Sequence, residues 1–447
     1  MKKFIFLFSV CCCAYIIGAF AKSPAPKESD CVVLKTYPEQ RKYLLKPHQE
    51  VVFKIELGCP NDLKAPRLPL NLALVIDRSG SMSGSKIEKA RESAIQIVDQ
   101  LQKDDVFSLI AYDNEVQVLV PAQPVEDKRY LKRRISQLEP GGSTALYAGV
   151  QEGAEQLEKY LTRKRVNRVI LLSDGLANVG PSTPRDLSRL GTELARNGIS
   201  VSTLGIGDDY NEDLMAALAE ASDANYYYVQ DVEQLPKILA KELGVLTRVA
   251  AREIRIKVVC PDGVEPMGFI GRPETFKNGI AQIDMGPLAS GQNRYLFLRC
   301  MVEDPKKLSK SEVAKVDLDY SDEINGGQRR THAQVVKVEF SDDADEVVRS
   351  VDKDVMVEKE LVLNAEQKSQ AISAADHGNY KVAAGVINAQ ISRLSSASYD
   401  APAAKKQELQ VEIQNLSDRA KELEEGRMDK GSRKAMQSES YKTRNSK

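Results

Sequence analysis

The stretch Leu72-Ala73-Leu74-Val75-Ile76 constrains the fold of this chain most strongly. An unbroken apolar run of this length, bounded by turn formers, reads as a strand buried on both faces, and such strands belong to parallel sheets covered by helices. The run stops at Asp77-Arg78-Ser79-Gly80-Ser81, with Gly84 just beyond. Ser85 and Glu88 have capping-box spacing, which predicts the start of a helix. One carboxylate and two hydroxyls therefore share the turn at the carboxyl end of a buried strand, where open α/β sheets bind ligands. All three are hard oxygen donors, suited to Mg²⁺, Mn²⁺ or Ca²⁺ rather than to a soft metal. The same residue types also suit an ordinary strand-to-helix turn.

Two later stretches add to this turn. Gly141-Gly142-Ser143-Thr144-Ala145-Leu146 places a threonine just before a helical segment. Val169-Ile170-Leu171-Leu172-Ser173-Asp174-Gly175 is a second buried strand ending in an aspartate. Between and beyond them, strands and helices alternate. Ile87, Ala90, Ala94, Ile97, Val98 and Leu101 line one helical face, and Val106 to Tyr112 is a strand. Further helices are expected over 146–161, 186–197, 211–221 and 232–246, with strands at 169–172, 199–206 and 226–229. Such alternation predicts a doubly wound, mostly parallel α/β sheet covered on both faces. The loops holding Asp77, Thr144 and Asp174 can then converge at one edge of that sheet.

Asp77-x-Ser79-x-Ser81, Thr144 and Asp174, in this order, resemble the three-loop metal-ion-dependent adhesion site of von Willebrand factor type A (VWA) domains. The resemblance covers about residues 69–244. The surroundings are most similar to bacterial secreted relatives of calcium-activated chloride channel and inter-alpha-trypsin inhibitor heavy-chain proteins. The resemblance implies a Rossmann-like fold and a divalent cation, Mg²⁺ before Mn²⁺ or Ca²⁺, held by Asp77, Ser79, Ser81, Thr144 and Asp174. It implies direct coordination by the three hydroxyls, with the aspartates direct or through water. An open coordination position would be filled by an Asp or Glu of a partner protein. Few negative protein ligands leave such an ion electrophilic, so an incoming carboxylate gains a charge-assisted bond.

The rest of the chain divides by pattern. At 447 residues it is long enough for two or three domains. Residues 1–21 have a Lys2-Lys3 n-region, an apolar core and Ala19-Phe20-Ala21 before Lys22, the form of a cleaved signal peptide. The mature chain is then expected to be exported, periplasmic or extracellular, with no transmembrane span. Residues 22–68 hold β-type strands at Cys31–Leu34 and Val51–Leu57, too few for a fold of their own. Residues 247–340 return to alternating strands with turn signals at Pro261-Asp262-Gly263, Lys277-Asn278-Gly279 and Asn325-Gly326-Gly327. The two β segments together predict one β-sandwich, into which the VWA domain (69–246) is inserted. Residues 341–426 read as a helical segment, and the polar 427–447 as a disordered tail.

Four cysteines lie beyond the signal: Cys31, Cys59, Cys260 and Cys300. An even number in an oxidising compartment suggests disulfides, with Cys31–Cys59 and Cys260–Cys300 favoured over a zinc site or free buried thiols. Net charge is −1, so no global field points to nucleic acid or to an anionic membrane. None of the three histidines, His48, His332 and His377, has a motif neighbour, and Ser79 and Ser81 lack a nucleophile elbow. The chain therefore reads as non-catalytic: an exported, metal-dependent protein-interaction module. The rival readings are an exported metal-assisted hydrolase and a structural VWA protein with a non-adhesive metal site.

Overall fold

The computed structural model describes residues 30–61, 63, 66–308 and 311–446. The expected signal peptide lies outside the described residues. The chain opens with β1 (Val33–Pro38), β2 (Lys42–Leu44) and β3 (Gln49–Gly58). An α/β unit follows: β4 (Leu70–Asp77), α1 (Ser85–Gln100), β5 (Val106–Tyr112), β6 (Val116–Pro124), α2 (Lys128–Ser136) and α3 (Leu146–Glu158). It continues through β7 (Val166–Ser173), α4 (Pro184–Arg196), β8 (Ile199–Ile206), α5 (Glu212–Ala221), β9 (Tyr226–Val229) and α6 (Leu235–Leu246). Then come β10 (Val249–Val259), β11 (Val264–Phe269), β12 (Ile280–Met285), β13 (Leu288–Ala289), β14 (Asn293–Val302), β15 (Glu312–Asp322), β16 (Gln328–Lys337) and β17 (Glu339–Ser341). Five helices close the chain: α7 (Ala344–Arg349), α8 (Lys353–Asp376), α9 (Tyr380–Asp400), α10 (Ala403–Glu424) and α11 (Lys430–Asn445).

The α/β sheet has strand order β6-β5-β4-β7-β8-β9, and β6 alone runs antiparallel to its neighbour. Every residue of β4 is buried. Leu70, Leu72, Leu74 and Ile76 pack with α1 and α6, while Ala73 and Val75 pack with α3, α4 and α5. Both faces are covered, which is why the run carries no polar alternation. Each large aliphatic side chain so buried contributes about 1.5–3 kcal/mol.

Two antiparallel sheets form the sandwich, one ordered β1-β3-β14-β11, the other β12-β10-β15-β16 with β13 on β10. The N-terminal β3 pairs with β14 over its whole length, so the α/β unit is inserted into the sandwich. Along β3, Val51, Phe53, Ile55 and Leu57 face the sandwich core. Val52 faces outward under Val355 and Val362 of α8. Lys54 on that outer face is buried as an ion, pairing with Glu56 and, at 2.6 Å, with Glu358 of α8, its ammonium 4.9 Å from the Tyr295 ring centre. The helical segment is thereby fixed to the sheet.

Two expectations are corrected. The disordered tail expected over 427–447 is helix α11, which buries Met436 and Tyr441. Its first half is held by charge, with Arg433 pairing with Glu212, Asp213 and Asp376, and Lys434 Nζ 2.6 Å from Glu212 Oε2. At its end, Ser446 Oγ exchanges hydrogen bonds with the Tyr295 backbone. The helix thus ties the α/β unit, the helices and the sandwich together. The expected disulfides are not formed: Cys31, Cys59, Cys260 and Cys300 are buried free thiols. Cys260 Sγ and Cys300 Sγ lie 3.9 Å apart, a contact about twice the length of an S–S bond. Burial pushes the Cys59 thiol up to about 11, which keeps it protonated and unreactive. Among the described residues, no helix is long and apolar enough to cross a membrane.

Candidate metal centre

Strand β4 connects onward to β5 on one side, and β7 connects to β8 on the other. The boundary between β4 and β7 is therefore the topological switch point, where an open sheet leaves a crevice at its carboxyl edge. Asp77 ends β4, and Asp174 follows the last residue of β7. Both aspartates are fully buried.

The turn after β4 is built around Asp77. Its Oδ1 accepts the Ser79 amide at 2.8 Å, and its Oδ2 accepts the Ser173 hydroxyl at 2.7 Å. Burial pushes the Asp77 carboxyl above the usual carboxylate range; the bonds from Ser79 and Ser173 oppose this, and neighbouring Asp174 adds to it. Ser79 Oγ lies 3.1 Å from Ser81 Oγ, and Ser81 Oγ donates to Asp174 Oδ1 at 2.7 Å. The turn is completed by a short 3₁₀ helix at Gly80–Met82. The expected capping box does not form. Ser85 is the first residue inside α1, the cap is Gly84 at φ +76°, and no side chain caps the helix. A left-handed cap favours glycine, which relieves Ser85 of the capping role.

The second loop is pinned to the first by backbone. The Gly141 amide donates to the Arg78 carbonyl at 2.6 Å, and the Gly80 amide to the Gly142 carbonyl at 3.1 Å. Gly142 has φ +62°, and a Cβ there would come within 2.8 Å of the Asp113 side chain. Asp113 in turn pairs with Arg78 at 3.0 Å. Loop three completes the clamp: Asn178 Oδ1 accepts the Thr144 amide at 3.0 Å, and the Asn178 amide donates to the Thr144 carbonyl at 3.2 Å.

The five residues expected from the sequence thus come together. A Cβ placed on Gly175 would sit 2.9 Å from Thr144 Oγ1, 3.5 Å from Ser81 Oγ and 3.6 Å from Ser79 Oγ. Three hydroxyls, one of them donating to Asp174, therefore surround a position that only glycine leaves open. Among the described residues, no group of three or more His, Cys, Asp or Glu side chains could hold a metal. A cation here would rest on two carboxylates and three hydroxyls, a hard donor set that fits Mg²⁺, Mn²⁺ or Ca²⁺. Sequence reasoning missed Ser173, which holds Asp77, and Lys86, whose Nζ lies 2.5 Å from Asp174 Oδ2. Ser173 precedes Asp174 directly and was legible as a strand-end hydroxyl; Lys86 carried no spacing signal. The three histidines lie outside this centre.

The family model for the von Willebrand factor type A domain matches residues 71–241. In sequence the chain is similar to an uncharacterized protein of Synechocystis sp., 27% identical over 291 residues, covering 63% of this chain and 68% of that protein. An uncharacterized Escherichia coli protein is 26% identical over 307 residues, 63% of this chain and 53% of that one. Human inter-alpha-trypsin inhibitor heavy chain H3 is 32% identical over 167 residues, 34% of this chain and 18% of that protein. The chain thus matches about two thirds, half and under a fifth of these relatives. Among solved structures, a von Willebrand factor type A protein from Catenulispora acidiphila matches with TM-score 0.70 at 17% identity, over 93% of this chain and 98% of that one. The ArnB paralog VWA2 of Sulfolobus acidocaldarius matches with TM-score 0.60 at 18% identity, over 93% and 99%. Those likenesses concern the fold. Domains of this family generally mediate protein–protein interaction, often with a bound divalent cation. Residues 71–241 of this chain form a von Willebrand factor type A domain.

Proposed function

We propose that the chain is a non-catalytic, exported interaction module that captures an acidic side chain of a partner protein through a divalent cation, Mg²⁺ before Mn²⁺ or Ca²⁺. One observation carries this reading: Asp77, Ser79, Ser81, Thr144 and Asp174 converge at the β4/β7 switch point around a space bounded by Gly175. Ser79, Ser81, Thr144 and Asp174 would hold the ion, and Asp77, locked by Ser79 and Ser173, would balance its charge. The bound ion would supply an electrophilic position for a carboxylate. The protein supplies the rest of the contact surface. Leu176 is 60% exposed and Val179 38% exposed, both on the loop that clamps Thr144. A partner with an Asp or Glu flanked by apolar side chains suits that rim.

The test is affinity capture from extracts of the protein's own cells, with Mg²⁺, with a chelator, and with the Asp174→Ala variant. A partner recovered with Mg²⁺ alone, and lost in the other two arms, is the expected result. A partner retained in all three arms would move recognition away from this centre.

A further inference from the structure

Asp174 has two oxygens with different company. Oδ1 receives the Ser81 hydroxyl at 2.7 Å and so belongs to the hydroxyl cradle. Oδ2 receives the Lys86 ammonium at 2.5 Å. Lys86 stands in the first turn of α1, its side chain 27% exposed against a fully buried Asp174. Its Cε and Nζ lie 3.7 Å from a Cβ placed on Gly207, so the ammonium sits between Asp174 in the turn after β7 and the turn after β8. No ion pair joins Asp77 to any cation among the described residues. The centre therefore holds two carboxylates and one ammonium, a net charge of −1.

We propose that Lys86 is a built-in counter-charge acting through Asp174, which weakens cation binding and leaves the loaded centre with net charge +1. This rests on the cation-binding reading above and names how the same centre is tuned. Two carboxylates alone would neutralise a divalent ion and remove its attraction for a third. With Lys86 present, one negative charge is lacking, and a partner's carboxylate supplies it. Like charges a few ångströms apart repel strongly in a half-buried site, and less so as salt rises. Removing the ammonium therefore tightens the ion and blunts the ligand's reward.

The experiment is calorimetric titration of the full chain with Mg²⁺ alone, for wild type, Lys86→Gln and Lys86→Arg, at low and high salt. Lys86→Gln is expected to bind Mg²⁺ about tenfold tighter at low salt, with the gain shrinking at high salt. Lys86→Arg keeps the charge and is expected to stay near wild type. The rise in melting temperature on adding Mg²⁺ should be larger for Lys86→Gln than for wild type. That readout also certifies that the variant folds. A residue that merely orients Asp174 would give the opposite sign, weaker binding in Lys86→Gln, and that result overturns the proposal. Unchanged affinity in Lys86→Gln overturns it too while leaving the cation site standing. A wild type that takes no divalent ion overturns both.

Discussion

Two buried carboxylate sites in this protein's α/β unit, Glu212 and the Asp77/Asp174 pair, are built on opposite terms. At the seam with α11, both oxygens of Glu212 meet cations, Oε1 that of Arg433 and Oε2 that of Lys434. Arg433 reaches on to Asp213 and Asp376, each at 2.7 Å, and Lys434 also stacks 4.7 Å from the Tyr210 ring centre. At the β4/β7 switch point, Asp77 and Asp174 are as deeply buried, yet among the described residues only Asp174 has an ammonium beside it. The remaining partners are hydroxyls and one amide. The first cluster is complete within the chain and acts as a weld. The second lacks positive charge and is surrounded by donors that can turn toward a cation. A buried charge left uncompensated is costly, so the difference marks one cluster as structure and the other as a binding centre.

That contrast can be broken at the weld with the largest effect. Glu212→Ala strands Lys434, which is 3% exposed, and is expected to cost about 3–5 kcal/mol in urea unfolding while leaving Mg²⁺ affinity unchanged. A loss of metal binding in a folded Glu212→Ala protein would show that the clusters are coupled. Next comes Gly175→Ala. Its methyl group would sit 2.9 Å from Thr144 Oγ1 and force that side chain aside, so Mg²⁺ affinity should fall at least about tenfold and the metal-free protein should lose about 1–3 kcal/mol. Asp77→Asn sharpens the comparison from the other side. It removes an unpaired buried charge, so the metal-free protein should gain about 1 kcal/mol while losing its cation. The smallest effect is expected at the start of α11. Asp429 accepts the Ser432 amide at 2.9 Å as the N-cap, and Asp429→Ala should cost about 1 kcal/mol, seen as faster hydrogen exchange over the first turn of the helix.

The same contrast explains what was legible in the sequence. The α/β unit announced itself because β4, β5 and β7 are apolar on both faces, and because Asp77, Ser79, Ser81, Thr144 and Asp174 stand directly at strand ends and helix starts. The insertion into the sandwich was readable from too few strands before Leu70. Helix α11 was not, because only Met436 and Tyr441 among its buried side chains are large and apolar, while Lys434 and Ser440 are buried by pairing across to other elements. Hydrophobic periodicity is blind to a helix held by ion pairs. Lys86 escaped for a related reason: its partner, Asp174, lies 88 residues away in sequence. Strand-end donors are a local signal, whereas a counter-charge delivered from a neighbouring helix appears only after folding. Ser85 misled because a capping-box spacing matched where a left-handed Gly84 does the turning.

The most direct test of the central claim is equilibrium titration of the full chain with Mg²⁺, wild type beside Asp77→Asn. The charge-deficient centre predicts one saturable site in the wild type and none in the variant, with the variant at least as stable as wild type when metal is absent. Equal binding by both proteins, or no binding by the wild type, would contradict it.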